Sequence, residues 1–205
     1  MGPVSRWSLL LSAVLVTACL NSGPDAALRD QLLAREQTEQ AIRDTLIRIM
    51  QRGGGTTASD SAMWLRMRVI DSANTTWLKQ VVAEHGWPGR SLVGRDGADA
   101  AYTIAQHAVH DAEFQAEALR LMEEAYRAGE MEGRQVAYLT DRVAVQAGKP
   151  QRYGSQFKFD DDGIVLDPIE DSAFVDLRRA AIGLAPLAEY VRQADSIFAP
   201  RGPWK

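Results

Sequence analysis

A mainly α-helical bundle with a small C-terminal β-hairpin is the fold this sequence predicts. Three observations predict it: long stretches in which apolar residues follow a 4-then-3 spacing, glycine and proline punctuation between those stretches, and one switch to alternation after residue 151. The chain of 205 residues is long enough for one hydrophobic core, and no internal repeat or extended heptad array divides it.

The N-terminal segment reads as an address rather than as structure. Arg6 precedes an apolar run, Trp7 to Val16, that is too short to span a bilayer as a stable helix and suits the core of a signal peptide. The run ends in Val16-Thr17-Ala18-Cys19, which resembles the bacterial lipobox, where a small residue precedes a cysteine that becomes the acylated first residue after cleavage. The expected organisation is therefore a lipoprotein signal peptide over 1–18, a tether over 19–27, a single α-dominated domain over 28–199 and a short tail over 200–205. Cys19 is the single cysteine, so an intramolecular disulfide is excluded, and its acylation would leave no thiol for catalysis or metal binding. The expected location is the bacterial cell envelope, with the protein held to a membrane by its lipid and facing the periplasm or the exterior. The formal net charge of −4, without a Lys/Arg cluster, argues against nucleic acid as a partner.

The first helix is expected from about Asp25 to Arg52. Leu28, Leu32, Ile42, Leu46 and Ile49 share one face, but the same spacing passes through Arg35 and Glu39. A charged middle to an apolar stripe means a solvent gap, a buried pair or one wall of a pocket; an exposed gap or an i,i+4 pair is the plainer expectation. "RGGGTTASD" follows as a connector, lacking the Gly-Lys-Ser/Thr of a phosphate loop. A second helix, about Ser61 to His85, carries Trp64, Met67, Leu78 and Val81 on a stripe that also includes Asp71 and Asn74, and it stops at Gly86 and Pro88.

After the loop "GWPGRSLVGRDG", helices are expected over Ala98 to Ala108, Asp111 to Ala128 and Gly133 to Ala147. The last of these is apolar almost all the way round, which assigns it to the interior and requires its adjacent Asp141 and Arg142 to be paired if buried. "RYGSQFKF" and "IVLDPI" flank "DDDG" as a hairpin turning near Asp162-Gly163, and two short helices, about Ala173 to Ile182 and Pro186 to Phe198, close the chain. Strand parity would place Gln151, Tyr153, Ser155, Phe157 and Phe159 on one face, with Arg152 and Gln156 on the other. Gly154 between them would let a backbone or a ligand approach closely.

The titratable residue of most interest is His107, which a helix through Ala100 and Ile104 turns toward an apolar face beside Gln106. A histidine there serves as a general base, a pocket donor or a satisfied core residue. His107 and His110 are spaced i,i+3, helical zinc pairs more usually sit at i,i+4, and no third ligand is evident, so no metal or other cofactor is expected. Ser155 lacks the strand-turn-helix context of a nucleophile elbow.

Four motifs in order, "DSANTTWLKQVVAEHGWPGRSLVG", "AAYTIAQHAVHDAEFQAEALRLMEEA", "AYLTDRVAVQAGKPQRYGSQ" and "LRRAAIGLAPLAEYV", make the chain resemble the bacterial family of domain of unknown function 6624 over roughly Gln31 to Val191. The resemblance implies motif positions at Asp71, Asn74, Gly86, Trp87, Pro88, Gln106, His107, Gln115, Asp141, Arg142, Gln151, Tyr153, Gly154 and Gln156. It carries no activity or cofactor with it. Ser155 stands where the family often has threonine, which keeps the hydroxyl.

Together these readings lead to an envelope lipoprotein that binds a small polar or anionic ligand in a pocket lined by Gln106, His107, Asp141, Arg142, Gln151, Tyr153 and Gln156. The alternatives are a hydrolase, with His107 as general base oriented by Asp141, and a structural or partner-binding lipoprotein without a pocket.

Overall fold

Asp25 starts the first helix by accepting the backbone N–H of Leu28 on Oδ1 at 2.9 Å, which satisfies one of the donors that every helix N-terminus leaves unpaired. The computed structural model describes residues 24–51, 57–160 and 163–198; the leader, Cys19 and the tail lie outside these residues. α1 (Ala26–Gln51) buries Leu28, Leu32, Glu39, Ile42 and Leu46 along one face. α2 (Ala58–His85) opens with a reciprocal capping box between Thr57 and Asp60 and ends at Gly86, whose φ of 74° is the left-handed region that glycine enters without strain.

α3 (Arg90–His107) begins well before the expected Ala98. The segment "RSLV" forms a first helical turn, Gly94 breaks it at φ 74°, and the helix resumes. Its glycines made this stretch read as a loop, whereas packing closes it: a Cβ on Gly97 would fall 2.9 Å from the Val93 side chain. α4 (Ala112–Arg127) is capped by Asp111, which accepts the Phe114 N–H at 3.0 Å. α5 (Gly133–Gln146) does not lie wholly inside. Gln135, Val136, Ala137, Leu139 and Asp141 are buried, while Arg134 and Gln146 remain exposed.

The described helices α1 to α5 form the bundle, with α3 packed against α1, α2, α4 and α5. Leu32, Leu78, Ile104, Met122 and Leu139 are among its fully buried side chains, and each such burial contributes about 1.5–3 kcal/mol relative to exposure. The hairpin consists of β1 (Phe157–Asp160) and β2 (Gly163–Leu166), paired antiparallel from Phe157↔Leu166 to Asp160↔Gly163. Its two turn residues lie outside the described ones. A 3₁₀ turn (Ser172–Phe174) leads into α6 (Val175–Ala181), and α7 (Leu187–Phe198) ends the described chain.

The first strand starts at Phe157 rather than near Arg152, so alternation does not govern residues 151–156. That stretch is irregular, and Gln151 makes an isolated parallel bridge to Ile169. Side chains fix it instead of a ladder.

Candidate functional site

Glu39 lies on the buried face of α1 with no exposed surface, where an ionised carboxylate needs partners to offset its lost hydration. It has them on two other helices. One oxygen, Oε1, meets Nδ1 of His107 at the end of α3, and the other accepts from Asn74 Nδ2 of α2 at 3.1 Å. An ionised carboxylate only accepts, so Nδ1 carries the proton in this pair, and the carboxylate leaves Nε2 unengaged. Among the described residues no hydrogen bond engages Nε2, and 17% of the His107 side chain is exposed.

Two arginines extend the cluster in opposite directions. Arg43, one turn along α1, donates from Nη2 to both oxygens of buried Asp71 at 3.0 and 2.8 Å, with Nη1 3.8 Å from Glu39. Arg35, one turn the other way, donates to Asn74 Oδ1 at 3.1 Å and stacks over the Trp77 ring at 4.3 Å. Burial lowers the pKa of Arg35 from the ordinary arginine value. The charged middle of the α1 stripe is therefore neither a solvent gap nor a simple pair along the helix. It is half of a polar centre shared by three helices.

Glu36 borders the centre and accepts the Thr103 hydroxyl at 2.9 Å. Burial raises its pKa above the usual glutamate value; Glu39 and Asp99 push the same way, while the Thr103 hydrogen bond and His107 oppose. Between α1 and α2 a groove of about 390 Å³ is lined by Gln31, Ala34, Arg35, Thr38, Ile70, Ala73 and Asn74. A continuous line of hydrogen bonds thus runs from the groove wall through Asn74 and Glu39 to His107.

The other candidate residues separate from this centre. Asp141 accepts three backbone N–H groups, Arg152 at 2.7 Å and Tyr153 at 2.9 Å on one oxygen and Ser155 at 2.8 Å on the other. It has no bond to His107, so the orienting carboxylate of His107 is Glu39, and Asp141 instead holds a loop. Gln151 is equally occupied. Its amide donates to the carbonyls of Gln156 and Asp167 at 2.9 and 2.7 Å, and its oxygen accepts the Gln156 N–H at 2.8 Å.

Tyr153 gives its carbonyl to buried Arg179 at 2.6 Å, and the Gln156 side chain donates to Ser155 Oγ at 3.1 Å. At Gly154 the close approach comes from the protein itself: a Cβ there would meet Leu187 at 2.7 Å and Ile169 at 3.0 Å. Gln106 is half-buried, and its carbonyl, like that of Ala105, accepts from the Gln115 side chain at 2.9 Å.

Arg142 is not paired with Asp141. Its Nε is buried without a partner, and burial lowers its pKa. Sequence reasoning thus reached His107, noticed Asp71 and Asn74 on a stripe, and passed over Arg43, whose signal was its place one turn beyond Glu39. Among the described residues no group of three or more His, Cys, Asp and Glu side chains is placed to hold a metal ion.

No curated protein and no solved structure matches the chain. A family model described as a family of unknown function, DUF6624, matches residues 24–200. That span covers the whole bundle, the hairpin and the closing helices, and the chain belongs to the DUF6624 family.

Proposed function

We propose that the protein is a bacterial envelope lipoprotein that binds a small polar ligand in the groove between α1 and α2. The observation that supports this most is the alignment of Arg35 and Asn74 on the groove wall with buried Glu39 and His107 behind them. Buried charges in such a line are costly to keep as mere packing, because apolar residues of similar volume serve stability as well or better. A volume of about 390 Å³ falls in the range of small-molecule sites. The Arg35 fork supplies donors for a carbonyl or carboxylate, and Ile70, Ala34 and Ala73 give an apolar floor.

The test is a thermal-shift screen of small envelope metabolites against wild type and Asn74→Ala. Compounds that raise the wild-type Tm should lose most of their effect in the variant. A wild type that responds to nothing, or responses untouched by Asn74→Ala, would remove the groove from consideration. Anchoring at Cys19 is tested separately by fatty-acid labelling in cells: label should vanish in Cys19→Ser, and persistent label would contradict it. Among the described residues no helix is long and apolar enough to cross a membrane.

A second reading has its own support in the Glu39–His107 pair. A carboxylate on Nδ1 orients an imidazole with Nε2 free, which is the arrangement a general base needs to activate water in a hydrolase. On this reading Glu39 orients the ring, the part first expected of Asp141. Turnover of any ester or amide that is abolished by His107→Ala, and reduced far more by Glu39→Ala than by Asp141→Ala at equal stability, would support it; equal loss in both would count against it.

A further inference from the structure

Arg35 lines the groove between α1 and α2 and carries a charge there that no neighbouring carboxylate answers. Arg43 faces Asp71, Arg29 faces Asp96 and Arg90 faces Glu132, whereas among the described residues Arg35 forms no ion pair. Burial alone accounts for its lowered pKa. The guanidinium is nevertheless held on two sides: Nη1 donates to Asn74 Oδ1 at 3.1 Å, and the Trp77 ring, one turn further along α2, covers one face at 4.3 Å. It is a positioned cation without a counter-charge.

Asn74 is itself fixed, because its Nδ2 donates to the Glu39 carboxylate, which only accepts. Its oxygen therefore stays on Arg35. With Nη1 and one face engaged, the remaining edge of the fork is Nε with Nη2. That edge makes no hydrogen bond among the described residues, and neither nitrogen is among the buried atoms left without a partner. It is open to solvent, in a groove of about 390 Å³. Two parallel N–H groups on one guanidinium edge match the two oxygens of a carboxylate, and a fork already held in place loses less freedom on binding.

We propose that the ligand of the groove is a small monocarboxylate with a short apolar tail, its carboxylate taken by the Nε–Nη2 edge of Arg35. The inference rests on the groove reading and narrows it to one chemical class. The tail has its surface in Ala34, beside Arg35 on α1, and in Ile70 and Ala73, within one turn of Asn74 on α2. One turn is about 5 Å, which suits a short chain. A single positive charge suits a single negative one: a phosphate dianion would need a second cation, and Arg43 is engaged by Asp71, while buried Glu39 adds negative charge behind the groove wall. Neutral amides lack the charge-assisted bond, and ammonium compounds are repelled.

The experiment follows the Trp77 indole N–H and the Arg35 Nε–H of the full chain by nitrogen-15 NMR. Sodium hexanoate, hexanamide, hexylamine hydrochloride, sodium acetate and inorganic phosphate are titrated at equal ionic strength into wild type, Arg35→Gln and Arg35→Lys. Hexanoate should shift both wild-type signals to saturation and bind about tenfold or more tighter than hexanamide. It should also bind about threefold or more tighter than acetate, which lacks the tail. The preference for acid over amide should vanish in Arg35→Gln and shrink in Arg35→Lys, which keeps the charge but not the fork; loss of a purely structural arginine would not change that ratio. The proposal is overturned if hexanoate leaves both signals unmoved, if hexanamide, hexylamine or phosphate binds as tightly, or if the preference survives Arg35→Gln. Should that variant not fold, an undiminished preference in Arg35→Lys overturns it instead. A neutral metabolite whose effect is lost in Asn74→Ala, with no preference for hexanoate over hexanamide, sinks the carboxylate and leaves the groove standing. The groove itself falls only if the metabolite screen is empty as well.

Discussion

Glu39 and His107 lie 68 positions apart and are joined Oε1 to Nδ1, with the same carboxylate also accepting from Asn74. One buried side chain thereby ties α1 to α3 and to α2. Removing it strips three neighbours at once, since Arg43 loses a nearby negative charge as well. Glu39→Ala is expected to cost about 3–5 kcal/mol in urea denaturation, and Glu39→Gln less, because it retains an acceptor oxygen.

Asp141 makes a contrasting prediction, since its three backbone partners belong to a loop outside the polar centre. Asp141→Asn keeps one acceptor but turns an amide N–H toward a backbone donor. A loss of about 2–4 kcal/mol is expected, with faster amide exchange at Arg152, Tyr153 and Ser155 and no change in the imidazole resonances of His107.

Gly154 has a φ of +73°, and a Cβ would fall 2.7 Å from Leu187. Both the left-handed conformation and the clash oppose a side chain. Gly154→Ala should therefore lower stability by about 1–3 kcal/mol, read as a lower Tm with the helical far-UV signal unchanged.

Glu36 gives the pH dependence. Burial raises its folded-state pKa above the unfolded value, so the folded protein favours the protonated carboxyl, and the unfavourable contribution develops as pH rises from the unfolded pKa through the folded one. Glu36→Gln, which can still accept the Thr103 hydroxyl, should be more stable than wild type at neutral pH. That advantage should shrink as pH falls through the raised pKa and vanish below the ordinary glutamate range. Stability curves of the two proteins against pH check the sign.

The helices were legible because their signals are local. Apolar spacing along α1 and α2, Asp111 ahead of α4 and Gly86 after α2 all act within a few residues. The start of α3 was hidden because Gly94 and Gly97 read as loop chemistry, although tight packing against Val93 is what Gly97 supplies. The stretch 151–156 misled for a related reason: its alternation resembles a strand, but Asp141 and Gln151 pin its backbone with side chains, a pattern that leaves no periodic trace.

The polar centre was half visible. Glu39, Asp71 and Asn74 stood out as polar residues on apolar stripes, and His107 as a histidine on an apolar face. Which of them meet depends on how α1, α2 and α3 cross, and no spacing along the chain encodes that. Asp141 was the nearest carboxylate in the motif map, yet three backbone N–H groups claim it first.

Nitrogen-15 NMR of the His107 ring tests the central claim most directly, namely that Glu39 holds Nδ1 and leaves Nε2 free to meet a ligand. The account predicts a protonated, exchange-protected Nδ1 that loses protection in Glu39→Ala, and an Nε2 that exchanges with solvent. A protected Nε2–H, or an Nδ1 signal indifferent to Glu39, would contradict it.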